Sequence, residues 1–177
     1  MSQVLEVAQL GNPIIRRKAE PVVNPADPQI QALIDDMFYT VAAEKGMGIA
    51  APQVHVSRRI FIMCSHPNER YPQAPLMIPT AVINPQITWA SPEIDKNWEG
   101  CLTLPGIRGL VPRHRSIEVA YTNRYGQKVE THLEDFPARV FQHELDHLEG
   151  RVFIDRVEST TEIMMEKEWQ AMMMTTV

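Results

Sequence analysis

The pattern that most constrains this chain is Gln142-His143-Glu144-Leu145-Asp146-His147, which contains H-E-x-x-H. Side chains four apart on a helix lie one above the other on a single face. His143 and His147 can therefore hold one metal ion together. Glu144, next to the first of them, can reach the ion's open position and take a proton from water there. Two histidines do not complete a catalytic site, which ordinarily has three protein ligands. On its own the string also fits a solvated helix face with two surface histidines.

The third ligand must come from elsewhere: His55, His66, His114, His132, a carboxylate or Cys101. Cys101 stands out by its setting, Glu99-Gly100-Cys101-Leu102-Thr103. Gly100 lets the backbone approach another group closely, and a thiolate is a strong ligand for a borderline metal. Cys64 differs. It ends the apolar run Ile60-Phe61-Ile62-Met63 and reads as a small buried hydrophobe. A third cluster, Gly46-Met47-Gly48-Ile49-Ala50-Ala51-Pro52-Gln53, has little side-chain cover, so an extended peptide can lie against it. Gln53 there can aim an amide N–H at a developing oxyanion. A tight turn built of small residues fits the same string.

In this order the clusters resemble the motifs of one family, the peptide deformylases: G-x-G-x-A-A-x-Q, E-G-C-L-S and Q-H-E-x-D-H-L. Thr103 stands where the family usually has Ser, which keeps the hydroxyl. The segment Gln9 to Arg16 is similar to the family's N-terminal stretch, and the resemblance extends from about Leu5 to Asp155. It implies removal of the formyl group from N-formylmethionyl peptides by hydroxide generated at a divalent metal, commonly ferrous iron; zinc, nickel and cobalt suit the same ligands. It implies Cys101, His143 and His147 as ligands and Glu144 as general base and acid. Gln53 and the Leu102 N–H become oxyanion donors, and the backbone of Met47, Gly48 and Gly100 holds the substrate chain. Met47, Phe136 and Val140 are candidates for an apolar pocket for the methionine side chain. Glu99 and Arg113 are expected to pair behind Cys101, and the role of Arg139 is open. A metallopeptidase and a peptide-binding module without catalysis are the other readings. The placement of Cys101 disfavours the first, and the presence of Glu144 and Gln53 the second.

The 177 residues suffice for one domain, expected to span 1–177. The net charge of −5 argues against nucleic-acid binding. The local basic patch Arg108, Arg113, His114 and Arg115 reads as a solvated strand end. No apolar run reaches the length of a membrane helix, and the start, Met1 to Glu6, has no signal-peptide pattern, so a cytoplasmic enzyme is expected. Its partner would be the nascent chain, with a transient ribosome contact. Docking through a basic C-terminal helix is disfavoured, because Glu158, Glu162, Glu166 and Glu168 face only Lys167 there.

Periodicity predicts helices over 28–45, 136–148 and 161–172. Strands are predicted over 58–64, 81–88, 116–122 and 128–133, with a long loop over 65–80 and a frayed end after 172. The grouping of strands and helices points to an α+β fold. With the family resemblance, this becomes a single domain of antiparallel sheets packed around a central helix carrying H-E-x-x-H, plus a C-terminal helix.

Overall fold

Asp27 caps the first helix. Its carboxylate accepts from Gln29 N–H at 2.8 Å, and Pro28 occupies the first turn, where its missing N–H costs nothing. Helix α1 runs Pro28–Ala43 and buries Ile34, Met37 and Val41. It ends two residues before the expected boundary, where Gly46 N–H closes on Val41 O at 2.9 Å. The computed structural model describes residues 2–175. In chain order its strands are β1 (Gly48–Ala50), β2 (Ile60–Met63), β3 (Thr80–Ala90), β4 (Ile94–Cys101), β5 (Leu104–His114), β6 (Ser116–Thr122), β7 (Lys128–Glu134) and β8 (Ile163–Met165). Helix α2 (Asp135–Leu148) follows β7, and α3 (Glu166–Thr175) follows β8.

One antiparallel sheet has the order β1-β2-β3-β6-β7, and a second has the order β4-β5-β8. Strand β2 shows how the first is covered. Ile60 and Ile62 pack with Ile34, Met37 and Val41 of α1. Phe61 and Met63, on the other face, pack with Ala138, Phe141 and Leu148 of α2. Both faces are dry, which is why this strand reads as an unbroken apolar run. Helix α2 also packs on β5 of the second sheet, and so lies between the two sheets. Together these features make the α+β arrangement around a central helix that the sequence led one to expect.

The structure departs from the expected elements at four points. Strands β1, β4 and β5 are absent from the sequence reading. The segment Ile94-Asp95-Lys96-Asn97 alternates poorly, and β5 contains Pro105 and Pro112; cross-strand pairing and buried ion pairs hold both strands instead. The helix expected over 161–172 is divided. Thr160–Glu162 forms a short 3-10 turn. Ile163–Met165 then pairs with Ile107–Gly109 of β5, whose backbone groups would otherwise be unpaired at a sheet edge. Only then does α3 begin. The solvated reading of the basic patch fails for Arg108 and Arg113, which are 2% and 4% exposed. Carboxylates brought from α2, α3 and β4 make that burial tolerable. Arg115 is exposed as expected and pairs with Glu93 and Asp135. Of the expected frayed end, residues through Thr175 continue α3, while Thr176 and Val177 lie outside the described residues.

The N-terminal stretch straps the parts together. Ala8 N–H donates to Gln53 O at 2.7 Å, and Leu10 N–H donates to Thr103 O at 3.0 Å. It thereby joins the segment after β1 to the turn between β4 and β5.

Candidate functional site

Cys101 ends β4, and Leu102-Thr103 form the tight turn into β5. Cys101 is therefore at a hairpin tip, which projects it toward α2. Between the pairs Glu99↔Gly109 and Cys101↔Leu104, only Gly100 lies on one strand, against Pro105–Arg108 on the other. This register shift is a bulge beside the tip, the kind of irregularity that bends a strand next to a site.

His143 and His147 stand on the inner face of α2, with ring centroids 5.1 Å apart. The ligating atoms of Cys101, His143 and His147 lie within 4.8 Å of one another, and His147 Nε2 is 3.3 Å from Cys101 Sγ. A tetrahedral ion with a thiolate at about 2.3 Å and imidazoles at about 2.0 Å needs donors three to four ångströms apart. The donor set and its spacing fit a divalent metal of borderline softness. The three residues predicted as ligands are thus brought together.

Glu99 braces this cluster. Its carboxylate accepts from His143 Nδ1 at 2.8 Å, which leaves Nε2 for a metal and raises the basicity of the ring. It also accepts from Arg113 Nε and Nη2, each at 3.0 Å, and from Arg139 Nη1 at 2.8 Å. The expected Glu99–Arg113 pair is present, and Arg139 proves to be its companion. Burial alone would raise the Glu99 carboxyl, but Arg113 and His143 hold it well below the usual carboxylate range. Two residues the sequence left without roles complete the frame. Asp146 accepts from Arg113 Nη1 at 2.5 Å and from Arg156. Gln142 pairs with both backbone groups of His114, at 3.1 and 2.8 Å. Both belong to the Q-H-E-x-D-H-L string, so their positions in the motif were the available signal. They tie α2 to β5.

Glu144 is 4% exposed, and its Oε2 has no hydrogen-bond partner among the described residues. Burial pushes its carboxyl up to about 7, with the nearby histidines acting the other way and the Cys101 and Glu99 charges adding to the rise. A buried carboxyl poised there suits proton transfer in both directions. A Cβ at Gly48 would lie 2.5 Å from Glu144 Oε1, so glycine is what allows β1 to run this close. Burial opposes ionisation of the Cys101 thiol, yet His147 and His143 bring it well below its ordinary value. Burial pushes Cys64 up to about 12, in keeping with its reading as an inert core residue.

Gln53 Oε1 accepts from Ala50 N–H at 2.8 Å. Its Nε2 donates to Thr103 Oγ1 at 3.1 Å and lies 3.4 Å from Cys101 Sγ. The hydroxyl kept by Thr103 is thus in use. Met47, Gly48, Gln53, Gly100, Leu102, Phe136, Val140 and Glu144 all line one cleft of about 470 Å³, together with Cys101 and His143. His147 is not among its lining residues and is almost wholly buried behind the cluster. The loop 65–79 forms one side of the cleft through Asn68, Arg70 and Tyr71.

The chain is similar in sequence and fold to known proteins. The family model described as polypeptide deformylase matches residues 4–162. Peptide deformylase 2 of a Nostoc species is 58% identical over 168 residues, covering 95% of this chain and 94% of that protein. Peptide deformylase 1 of Bordetella pertussis is 44% identical over 88% of each. Among solved structures, a class I type b peptide deformylase from Acinetobacter baumannii with Met-Ala-Ser bound superposes with a TM-score of 0.86. It is 43% identical, over 89% of this chain and all of that one. An actinonin complex of a peptide deformylase from Synechococcus elongatus gives 0.79 at 32% identity, over 89% of this chain and 81% of that one. With the motifs, the fold and the ligand cluster in agreement, this chain is an enzyme of the polypeptide deformylase family.

Proposed function

We propose that the protein hydrolyses the N-formyl group from N-formylmethionyl peptides and nascent chains, releasing formate. The observation that carries this reading is the cluster of Cys101, His143 and His147 at the wall of a cleft that Cys101 and His143 line together with Glu144, whose buried Oε2 has no hydrogen-bond partner among the described residues. Cys101, His143 and His147 would hold a divalent ion, ferrous iron first among those the donors suit. Once bound, that ion acts as a Lewis acid toward water and the formyl oxygen. Glu144 takes the proton from water and passes it to the leaving amine. One carboxyl serves both steps because the attacking and leaving atoms sit on the same carbon. Gln53 Nε2–H, now on the weak sulfur contact, can turn to the oxygen on which charge develops, with Leu102 N–H as a second donor.

The substrate backbone is held as an added strand. Strand β1 is the edge of its sheet, so the main chain of Met47 and Gly48 can pair with an extended peptide, with Gly100 opposite. The methionine side chain enters the apolar wall formed by Met47, Phe136 and Val140. Newly made chains in the cytoplasm, met transiently at the ribosome, are the substrates this chemistry fits. The deciding assay is formate release from a formyl-Met peptide by protein purified without oxygen, with and without a chelator. Chelator-sensitive release is the expected result. No release by protein with metal bound would overturn the reading.

A further inference from the structure

Arg108 is a buried cation in the cleft wall that the mechanism above does not use. A Cβ at Gly100 would fall 2.6 Å from its Nη1 and 2.7 Å from its Cζ, so the guanidinium lies flat on the Gly100 backbone. The Trp169 ring of α3 covers its other face, with Cζ 4.6 Å from the ring centroid. Nη2 donates to Glu166 Oε1 at 2.8 Å, and Nη1 donates to the Tyr71 hydroxyl at 2.7 Å. The Tyr71 ring in turn rests on Phe136, centroids 5.1 Å apart. The β5 bulge at Pro105–Arg108 makes room for this fold-back, and β8 delivers α3 beside it.

Arg108 Nε finds no acceptor among the described residues, and Glu166 is the one carboxylate on its guanidinium. For stability alone such a group is a poor choice, since an apolar residue of similar volume serves as well or better. Its geometry does something an apolar residue cannot. It connects α3, the 65–79 loop and the Gly100 backbone at one point, next to the ligand Cys101 and the apolar wall at Phe136.

We propose that Glu166 and Trp169 of α3 are positioning residues for the substrate cleft, acting through Arg108 on the Gly100 backbone and, by way of Tyr71, on Phe136. The inference rests on the deformylase reading for the identity of the substrate. Both ends of the clasp touch groups that hold the peptide and not Glu144, so loosening it weakens peptide binding more than it slows the chemical step.

The test uses the full-length, metal-loaded protein and the variants Trp169→Leu, Trp169→Phe and Glu166→Gln. Steady-state rates with formyl-Met-Ala-Ser are read as a KM-against-kcat split, and calorimetry gives the Kd for Met-Ala-Ser. Trp169→Leu and Glu166→Gln are expected to raise KM and Kd by roughly 3- to 10-fold, the size usual for residues acting through a neighbour. The fall in kcat should be smaller, and Trp169→Phe, which keeps a ring on the guanidinium, should bind nearer to the unmodified protein. Variants with a lowered Tm but unaltered KM and Kd would overturn the proposal and leave the clasp a structural one. Should Trp169→Leu not fold, Glu166→Gln decides alone. If the unmodified protein releases no formate, the deformylase reading fails, and the Kd comparison still decides the inference because binding needs no turnover.

Discussion

Glu99 orients His143 from the side of its ring opposite the nitrogen left for a metal. Its carboxylate gathers one histidine and two arginines. Glu99→Gln keeps the shape but removes the charge that faces His143 Nδ1–H. Metal affinity, measured by competition with a chelator of known strength, is expected to fall about 10- to 100-fold. Unchanged affinity would mean that Glu99 serves only the arginines. The fold should survive, because Arg113 and Arg139 keep Asp146 and Asp95 as partners. For Gln53→Ala the expected signature is the opposite. Metal content stays at the level of the unmodified protein while turnover falls about 10²- to 10³-fold, as when one oxyanion donor is lost. Equal turnover would remove Gln53 from the chemistry. At this scale much was legible beforehand, since Cys101, His143, His147, Glu144 and Gln53 lie in short strings whose spacing has a chemical meaning. Arg108 and Arg113 were misread as solvated because a strand sequence such as Ile107-Arg108-Gly109-Leu110 does not disclose which distant carboxylates meet its charges.

Among the elements, α2 carries both histidines and Glu144, and its position depends on the apolar surface beneath it. Phe61 of β2 meets Phe141 of α2 edge to face, centroids 5.1 Å apart, and both are fully buried. Phe61→Ala is expected to cost about 3–5 kcal/mol, read as a shift of the urea midpoint, and to loosen metal binding because α2 loses its seat. A loss under about 1 kcal/mol, within the usual range for surface changes, would show that α2 is held chiefly by its polar ties to β5. Helices α1 and α2 could be read from apolar spacing, β2 from its unbroken apolar run, and β3, β6 and β7 from strand-forming runs bounded by turn residues. Strands β4, β5 and β8 could not. They exist because of what they pair with: β8 has three residues and completes an edge, while β4 and β5 are interrupted by a bulge and carry buried charges. Local sequence holds little trace of such partners.

For the molecule as a whole, the site is an assembly of segments far apart in sequence, near residues 53, 101 and 143–147, strapped by Ala8 and Leu10. Motif order revealed that they belong together but not that two separate sheets bring them there. Among the described residues, no helix is long and apolar enough to cross a membrane. The two thiols occupy opposite extremes of this architecture. Cys64 is buried under the Met47 turn, its Sγ 3.4 Å from Gly46 O and its ionisation suppressed. Cys101 is half-buried, opens on the cleft and ionises readily. Thiolates alkylate and thiols do not, so with Cys101 as a metal ligand, as proposed above, its alkylation is expected to gauge metal occupancy. Iodoacetamide should add one carbamidomethyl group, at Cys101, after chelation, and far more slowly to metal-loaded protein. Intact-mass spectra would then count the fraction of molecules carrying metal in any preparation; labelling of both cysteines under native conditions would show that the gauge fails.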